Sequence, residues 1–440
     1  MTPLFDVLRD YAARRPARFH MPGHKGGPLP IPALSPAAPL DVTEIPGTGN
    51  LYEPGEPFDS AQRLWAERFA FDHCQFLTGG STMGLHTGLA LFCTPGDAVL
   101  VDRNCHRSVF HAMALLDLRP VYLERPWLEE ENLIGPISPE QVALSLQQHP
   151  EIKTVCITSP TYAGVLSDIG AISPIVHAHG GTLLVDGAHG AHLPFLGLDP
   201  FRGADGAVVS AHKTLPALGQ AALLFTRGVD PDRVRRMASV FGTSSPSYPI
   251  LASMDGARAW LEEGGAEEYR RTARRVAQLR QRFPSLGGAL SLDPARLTLN
   301  VQDGPSFARA LEGQNIFPEM EDGGHVVFIC TPQDLAENFD RLERALEGME
   351  DRMGPCPPLP SPPLPERVCS LREALFAPTE TLPLFQCAGR VAAGQLAPYP
   401  PGVPVVAPGE RITEKELAYF AKIGYNRIDT PVIVSQDGEV

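Results

Sequence analysis

The spacing of apolar residues predicts the elements of this chain. Leu4, Phe5, Leu8 and Tyr11 recur at helical spacing, so a helix is expected over 3–15. Residues 16–58 lose that period and are rich in Pro and Gly, which predicts a long irregular arm. A helix is expected over 60–71. From 74 to 226 short apolar runs alternate with helical segments. Ala98–Val101, Val155–Thr158, Leu183–Val185 and Ala207–Ser210 read as buried strands, Ala221–Phe225 as the strand that closes the sheet, and 171–179 as one of the helices. Such alternation predicts a parallel sheet with right-handed crossovers.

Gly256–Phe283 reads as one long helical stretch with a highly charged outer face. Residues 286–350 read as short strands and helices, ending in an amphipathic helix over Asp334–Gly348. Residues 355–365 hold seven prolines in eleven positions, a stiff extended connector with no helix or strand of its own. The expected organisation is an arm over 1–58, a large domain over 59–255, a small α+β domain over 256–354, the linker 355–365 and a C-terminal domain over 366–440. There is no internal repeat.

Composition changes this picture little. A chain of 440 residues can bury large cores. The net charge of −14 argues against a nucleic-acid partner. Eight cysteines without a C-x-x-C pair give neither a disulfide framework nor a zinc signature, so no metal is expected. No run of 18 apolar residues and no apolar signal core at the N-terminus leave a cytoplasmic location, without a membrane, as the expectation.

The chemistry gathers in 183–220. One apolar run ends in Asp186, the next in Ser210, His212 and Lys213. Ligands bind at the carboxyl ends of strands in open α/β sheets, where these polar residues sit. A lysine past one strand with an acid past its neighbour suits pyridoxal phosphate: the lysine forms the Schiff base and the acid pairs with the pyridinium nitrogen. Upstream, the turn at Leu77–Thr82 opens a helix. Helix N-termini present free N–H groups and a positive dipole end to an anion, so Gly80, Ser81 and Thr82 are candidates for a phosphate cup.

With these residues in view, the chain resembles the Orn/Lys/Arg decarboxylases, pyridoxal-phosphate enzymes of aspartate-aminotransferase fold type I. D-x-A-H-x-x-H at 186–192 and S-x-H-K-T-L at 210–215 carry the likeness. P-G-H-K-G-G at 22–27, G-S-T-M-G at 80–84, R-N-C-H-R-S at 103–108, S-S-P-S-Y at 244–248 and Y-P-P-G-V-P-V-V-A-P-G-E at 399–410 extend it. The resemblance implies an α/β fold with a mostly parallel central sheet flanked by helices, an N-terminal arm and smaller α+β C-terminal domains. It implies that His106 stacks on the cofactor ring, that Ala188 packs on the opposite face, and that Ser210 and His212 contact the phosphate beside Lys213. Ser244 and Ser245 would cross a homodimer interface to the partner's phosphate, and the arm would reach a shared active-site cleft. Thr161 matches a position that often bonds the cofactor's phenolic oxygen in this fold, and His189 could contact that oxygen or the substrate carboxylate. Lys213 or His212 would return a proton to the α-carbon.

The substrate expected from the resemblance is a basic amino acid, arginine ahead of lysine and ornithine, feeding polyamine synthesis. A buried cationic side chain needs an acid; Asp41, Glu44, Glu319 and Glu410 are the candidates. The chain resembles the short biosynthetic forms, without a response-regulator-like wing. Three departures touch the pocket: G-N-L-Y at 49–52 replaces D-D-L-H, Gly187 stands where an acid is usual, and Gly219-Gln220 replaces Thr-Gln. Another fold-type-I enzyme such as an aminotransferase is the alternative; it would want an arginine for the α-carboxylate, and Arg390 is placed for that. A non-catalytic relative would be expected to lack the lysine, which is present as Lys213.

Overall fold

The protein is seen in a computed structural model that describes residues 1–398, 402–425 and 429–434. Helices span Pro3–Ala13 (α1), Phe58–Phe69 (α2), Gly80–Phe92 (α3), Arg107–Leu115 (α4), Pro139–Gln148 (α5), Ile169–Ala178 (α6), Ala211–Thr214 (α7), Pro231–Phe241 (α8), Tyr248–Trp260 (α9), Ala266–Arg282 (α10), Gly304–Glu312 (α11), Ala336–Glu347 (α12), Leu371–Phe376 (α13) and Glu414–Lys422 (α14). Strands span His73–Leu77 (β1), Ala98–Asp102 (β2), Arg119–Leu123 (β3), Trp127–Leu128 (β4), Leu133–Ile134 (β5), Thr154–Thr158 (β6), Thr182–Asp186 (β7), Gly206–Ser210 (β8), Ala222–Thr226 (β9), Arg296–Asn300 (β10), Met320–Glu321 (β11), His325–Ile329 (β12), Thr379–Pro383 (β13) and Asp429–Ile433 (β14). The fold is α/β, with a mostly parallel sheet and flanking helices. The chain forms two compact units. One comprises Met1–Phe92, Leu183–Thr272 and Thr331–Gln333; the other comprises Cys93–Thr182, Ala273–Cys330 and Asp334–Val440.

In the first unit the strands lie in the order β1-β9-β8-β7. β7 and β8 are parallel, with Leu184 opposite Gly206 and Asp186 opposite Val208. β9 runs antiparallel to both β8 and β1. A parallel crossover takes a dozen or more residues, and 211–221 holds one helical turn and a loop. The strand expected to close the sheet therefore turns back inside it, and β1 lies outside it.

Helix α3 packs on β8 and β9, and its glycines set how close it comes. A Cβ on Gly84 would lie 2.6 Å from Val208 Cγ1, and one on Gly88 3.0 Å from Leu184 Cδ1. The absence of side chains at these positions seats the helix on the strands. The arm contains a 3₁₀ segment over Pro32–Leu40. It is anchored through α1, whose Leu4 and Phe5 N–H groups donate to buried Asp255 on α9 at 2.9 and 3.2 Å. That carboxylate satisfies first-turn N–H groups from a neighbouring helix. The long helix expected over 256–283 is broken: α9 and α10 are separated by a π-turn at Leu261–Gly265, where Gly264 leaves the helical region at φ 146°. Periodicity does not register such a break, because the apolar spacing resumes in phase beyond it.

In the second unit β3, β2 and β6 are parallel neighbours. A second, antiparallel sheet, β10-β12-β11, shares a core of Phe283, Leu297, Leu299, Val326 and Leu342 with α10 and α12. Pro355–Pro365 has neither helix nor strand, as its prolines predict. Further on, β13 and β14 pair antiparallel over a core of Leu396, Val406, Ile412 and Phe420. Among the described residues, no helix is long and apolar enough to cross a membrane, and no cluster of His, Cys, Asp and Glu could hold a metal.

Candidate active site

The first unit collects nine of the expected residues at the carboxyl ends of β7 and β8. Asp186 ends β7 with only 2% of its surface exposed. Its Oδ1 accepts the Ala188 N–H at 3.1 Å. Beyond β7 the backbone stays paired, Gly187 N–H donating to Val208 O at 2.8 Å and Ser210 N–H to Ala188 O at 3.3 Å. This pairing keeps Ala188 and His189 buried beside β8. One turn past β8, Lys213 Nζ lies 3.1 Å from His189 Nε2. An ammonium only donates, so His189 presents the lone pair of Nε2 to it. His212 Nδ1 donates to Ala221 O at 2.9 Å, which orients the ring.

The head of α3 faces the same strand end. Ser81 Oγ and Ser210 Oγ are 3.0 Å apart. Gly80 has φ +67°, a left-handed conformation that glycine adopts without a steric cost. Its N–H donates to Gln220 O at 2.9 Å. Thr82 is exposed. Ser81 and Gly84 are three residues apart and share one helix face. Ser210 and Val208 share one strand face, so the close approach at Gly84 and the serine contact are one packing event.

The same geometry accounts for the departure at 187, and nothing in the structure explains the one at 219. A Cβ on Gly187 would lie 2.4 Å from Phe201 Cε1, so buried Phe201 fills the space an acid would need. Gln220 reaches the helix head through its carbonyl, a contact that is independent of side-chain identity. At 49–52, Asn50 Oδ1 accepts the Tyr52 N–H at 3.0 Å. The Tyr52 hydroxyl is buried with no hydrogen-bond partner among the described residues. Burial, and then the Glu44 carboxylate, push its pKa up to about 12. A Cβ on Gly242 would lie 2.2 Å from that hydroxyl, which fixes Gly242 as the residue opening G-T-S-S-P-S. Ser244 and Ser245 are exposed. Asp41 is held by His24, Nε2 to Oδ2 at 3.1 Å, while His24 Nδ1 accepts the Gly26 N–H at 3.0 Å. Glu44 is half-buried.

The remaining expected residues belong to the second unit. His106 caps α4, its Nδ1 accepting the Ser108 N–H at 3.2 Å and lying 2.8 Å from Ser108 Oγ. Thr161 closes a tight turn, its Oγ1 accepting the Val165 N–H at 3.0 Å. Glu319 is exposed and hydrogen-bonded to the Tyr162 hydroxyl. Arg390 pairs with Glu380 and donates to Ile433 O at 2.8 Å. Glu410 is fully buried against Arg103 at 2.8 Å. Of the motif at 399–410, Tyr399, Pro400 and Pro401 lie outside the described residues.

Sequence reasoning missed Arg125. It is buried, and its Nε and Nη2 both donate to Asp102 Oδ2, at 2.9 and 2.7 Å. It also donates to Gly135 O at 3.0 Å and contacts Thr158 O. One guanidinium thus ties the end of β2, which leads to His106, to the end of β6, which leads to Thr161. The signal available was an acid closing an apolar strand, the same signal that drew attention to Asp186.

Fold and site together define a lysine-centred enzyme of the α/β class. Residues 2–303 match the Orn/Lys/Arg decarboxylase major domain and 368–427 the C-terminal domain of the same family. An arginine decarboxylase of Bacillus subtilis is 32% identical, aligned over 96% of this chain and 93% of its own length. An arginine decarboxylase of Halalkalibacterium halodurans is 31% identical over 99% of this chain and 96% of its own. Among solved structures, a lysine decarboxylase of Francisella novicida superposes with a TM-score of 0.83 at 21% identity, covering 99% of this chain and 81% of that one. The chain belongs to the Orn/Lys/Arg decarboxylase family and is an amino-acid decarboxylase.

Proposed function

We propose that the protein decarboxylates arginine to agmatine with pyridoxal phosphate, ahead of lysine and ornithine, and so feeds polyamine synthesis in the cytoplasm. The observation that carries this reading is the grouping of Lys213, Asp186 and the Ser81–Ser210 hydroxyls at one strand edge. The donor set fits the cofactor's three recognisable groups. Asp186 is a buried carboxylate suited to a ring nitrogen, Lys213 is an amine suited to an aldehyde, and a hydroxyl-lined helix N-terminus suits a phosphate. Arginine as first substrate is supported by relatives of about one-third identity named arginine decarboxylase.

When bound, pyridoxal phosphate supplies an aldehyde that condenses with amines and a pyridinium that accepts the electron pair left by departing carbon dioxide. Asp186 holds a proton on the ring nitrogen, because a nearby anion raises the pKa of a cationic group. Ser81, Ser210 and the N–H groups of α3 that follow Gly80 would bind the phosphate, with Thr82 and His212 at its rim. His189 accepts a hydrogen bond from Lys213 Nζ and so orients the amine. Lys213 delivers the proton that replaces the carboxylate on the α-carbon, with His212 as the neighbouring donor. As the family resemblance implies, His106 and Ala188 would pack on the ring and Thr161 would bond the phenolic oxygen. Arg390 is already engaged by Glu380, which disfavours its use as an aminotransferase-type carboxylate clamp.

The same reading makes the active unit a homodimer with shared sites. Exposed Ser244 and Ser245 support it, and so do the large apolar residues Phe19, Met21, Ile31 and Leu34 exposed on the arm. Incubating the enzyme and cofactor with each basic amino acid, and separating the amines by chromatography, tests the substrate. Arginine is expected to show at least tenfold higher kcat/KM than lysine, about 1.4 kcal/mol of discrimination. Cadaverine or putrescine as the dominant product would overturn arginine.

A further inference from the structure

We propose that Arg103 and Glu410 form a positioning strut through which the C-terminal segment 402–410 holds the loop that carries His106. The proposal rests on the reading of His106 as the ring-stacking residue.

Arg103 is the first residue of R-N-C-H-R-S, and its guanidinium donates to the C-terminal segment. Nη1 donates to Pro404 O at 2.7 Å, and Nη2 donates to Val405 O at 3.0 Å and to Glu410 Oε2 at 2.8 Å. Its guanidinium carbon sits 5.2 Å from the Tyr122 ring centroid and 5.7 Å from that of Phe110, within cation–π range of both. Glu410 also accepts the Ala407 N–H at 2.7 Å, so it shapes the turn that presents the two carbonyls. Beyond His106, the Arg107 N–H donates to Gly402 O at 3.4 Å. The C-terminal segment therefore grips the loop on both sides of the histidine.

The near end of the loop is equally fixed. Asp102 Oδ1 accepts the Asn104 N–H at 2.9 Å, and Asp102 O accepts the Cys105 N–H at 3.0 Å. The His106 ring is then turned by its own cap on α4. A buried ion pair contributes little net stability, because desolvation offsets the attraction. Burial raises the Glu410 carboxyl pKa, and Arg103 opposes that. Among the described residues, Glu410 Oε1 and Arg103 Nε have no hydrogen-bond partner, so the pair is not fully satisfied as a stabilising device. What it does supply is geometry, three residues from His106 and from a separate part of the chain. Residues 402–410 and R-N-C-H-R-S are thus two halves of one feature, and Glu410 acts on the loop rather than on a substrate cation.

The test is a double-mutant cycle in the full-length enzyme. Glu410→Gln keeps the shape and removes the charge; Arg103→Lys keeps the charge and removes the fork. Each is expected to lower kcat at least tenfold with KM within about threefold. In a His106→Ala background each is expected to cost less than twofold more. Hydrogen–deuterium exchange of the 104–108 amides, measured on enzyme freed of cofactor, is expected to rise in both variants. Equal losses in the two backgrounds, or unchanged exchange in a folded variant, would overturn the strut. Turnover of His106→Ala within twofold of wild type would overturn the reading of His106 itself, and the strut with it. Should Glu410→Gln fail to fold, Arg103→Lys carries the same three expectations.

Discussion

Replacing Gly84 by alanine tests how the phosphate site is built. The new Cβ would lie 2.6 Å from Val208 Cγ1 and 2.9 Å from Leu77 Cδ1, where ordinary contact needs about 3.4–4 Å. Val208 cannot yield readily, because it is fully buried and paired with Asp186 on one side and Leu224 on the other. The strain therefore falls on α3, which has to lift by a fraction of an ångström to about 1 Å. Ser81 leads that helix and would be drawn from its 3.0 Å contact with Ser210. Overpacking of this kind costs about 1–3 kcal/mol. If that cost appears in cofactor binding, affinity falls roughly 5- to 150-fold. Gly88→Ala is the control: its Cβ would approach Leu184 Cδ1 at 3.0 Å, a milder overlap one helical turn farther from Ser81. Titration of each variant with pyridoxal phosphate, followed by visible absorbance, gives the affinities. A Gly84→Ala affinity within twofold of both wild type and Gly88→Ala would refute the reasoning. Val208→Ala added to Gly84→Ala should recover most of the loss, because it removes the methyl groups the new Cβ strikes.

Lys213→Ala is expected to abolish the visible absorbance of the cofactor-loaded protein and all amine production; an unchanged band would show that the lysine was wrongly assigned. Asp186→Ala should retain the band yet lose well over tenfold in kcat, a barrier increase beyond about 1.4 kcal/mol, which steady-state assays read directly. Mixed dimers of Lys213→Ala subunits with Ser244→Ala/Ser245→Ala subunits should regain activity that neither parent has, and silent mixed dimers would mean that each site is built within one chain. Buried His325 opposes its own charging through desolvation, but the Asp322 carboxylate, 2.9 Å from Nδ1, outweighs this and raises its pKa above 6.5. A raised histidine pKa contributes stability that is fully present below the unfolded value and lost as pH rises through the folded one. Urea unfolding of wild type and His325→Gln should therefore differ most at acid pH and converge on the alkaline side; a constant difference across pH would contradict this.

Much of this protein is legible without its structure because the signals are local. Apolar runs bounded by turns gave strands whose ends lie within one or two residues of β2, β6, β7, β8 and β9. Asp186 and Lys213 announce themselves by standing just past such runs, and Gly80-Ser81-Thr82 by opening a helix after a glycine turn. The interruption at Gly264 leaves no mark on the apolar period, so the apolar spacing alone predicts one unbroken helix there. The folded chain alone decided which distant residues meet. Arg103 and Glu410 are 307 positions apart, and neither local periodicity nor residue type says that two isolated charges will be buried together. Phe201 occupies the space beside Gly187, and the Tyr52 hydroxyl abuts Gly242, through packing between segments with no shared pattern. A strand or a helix start is specified by a few neighbouring side chains, whereas a contact between distant segments depends on every element that lies between them.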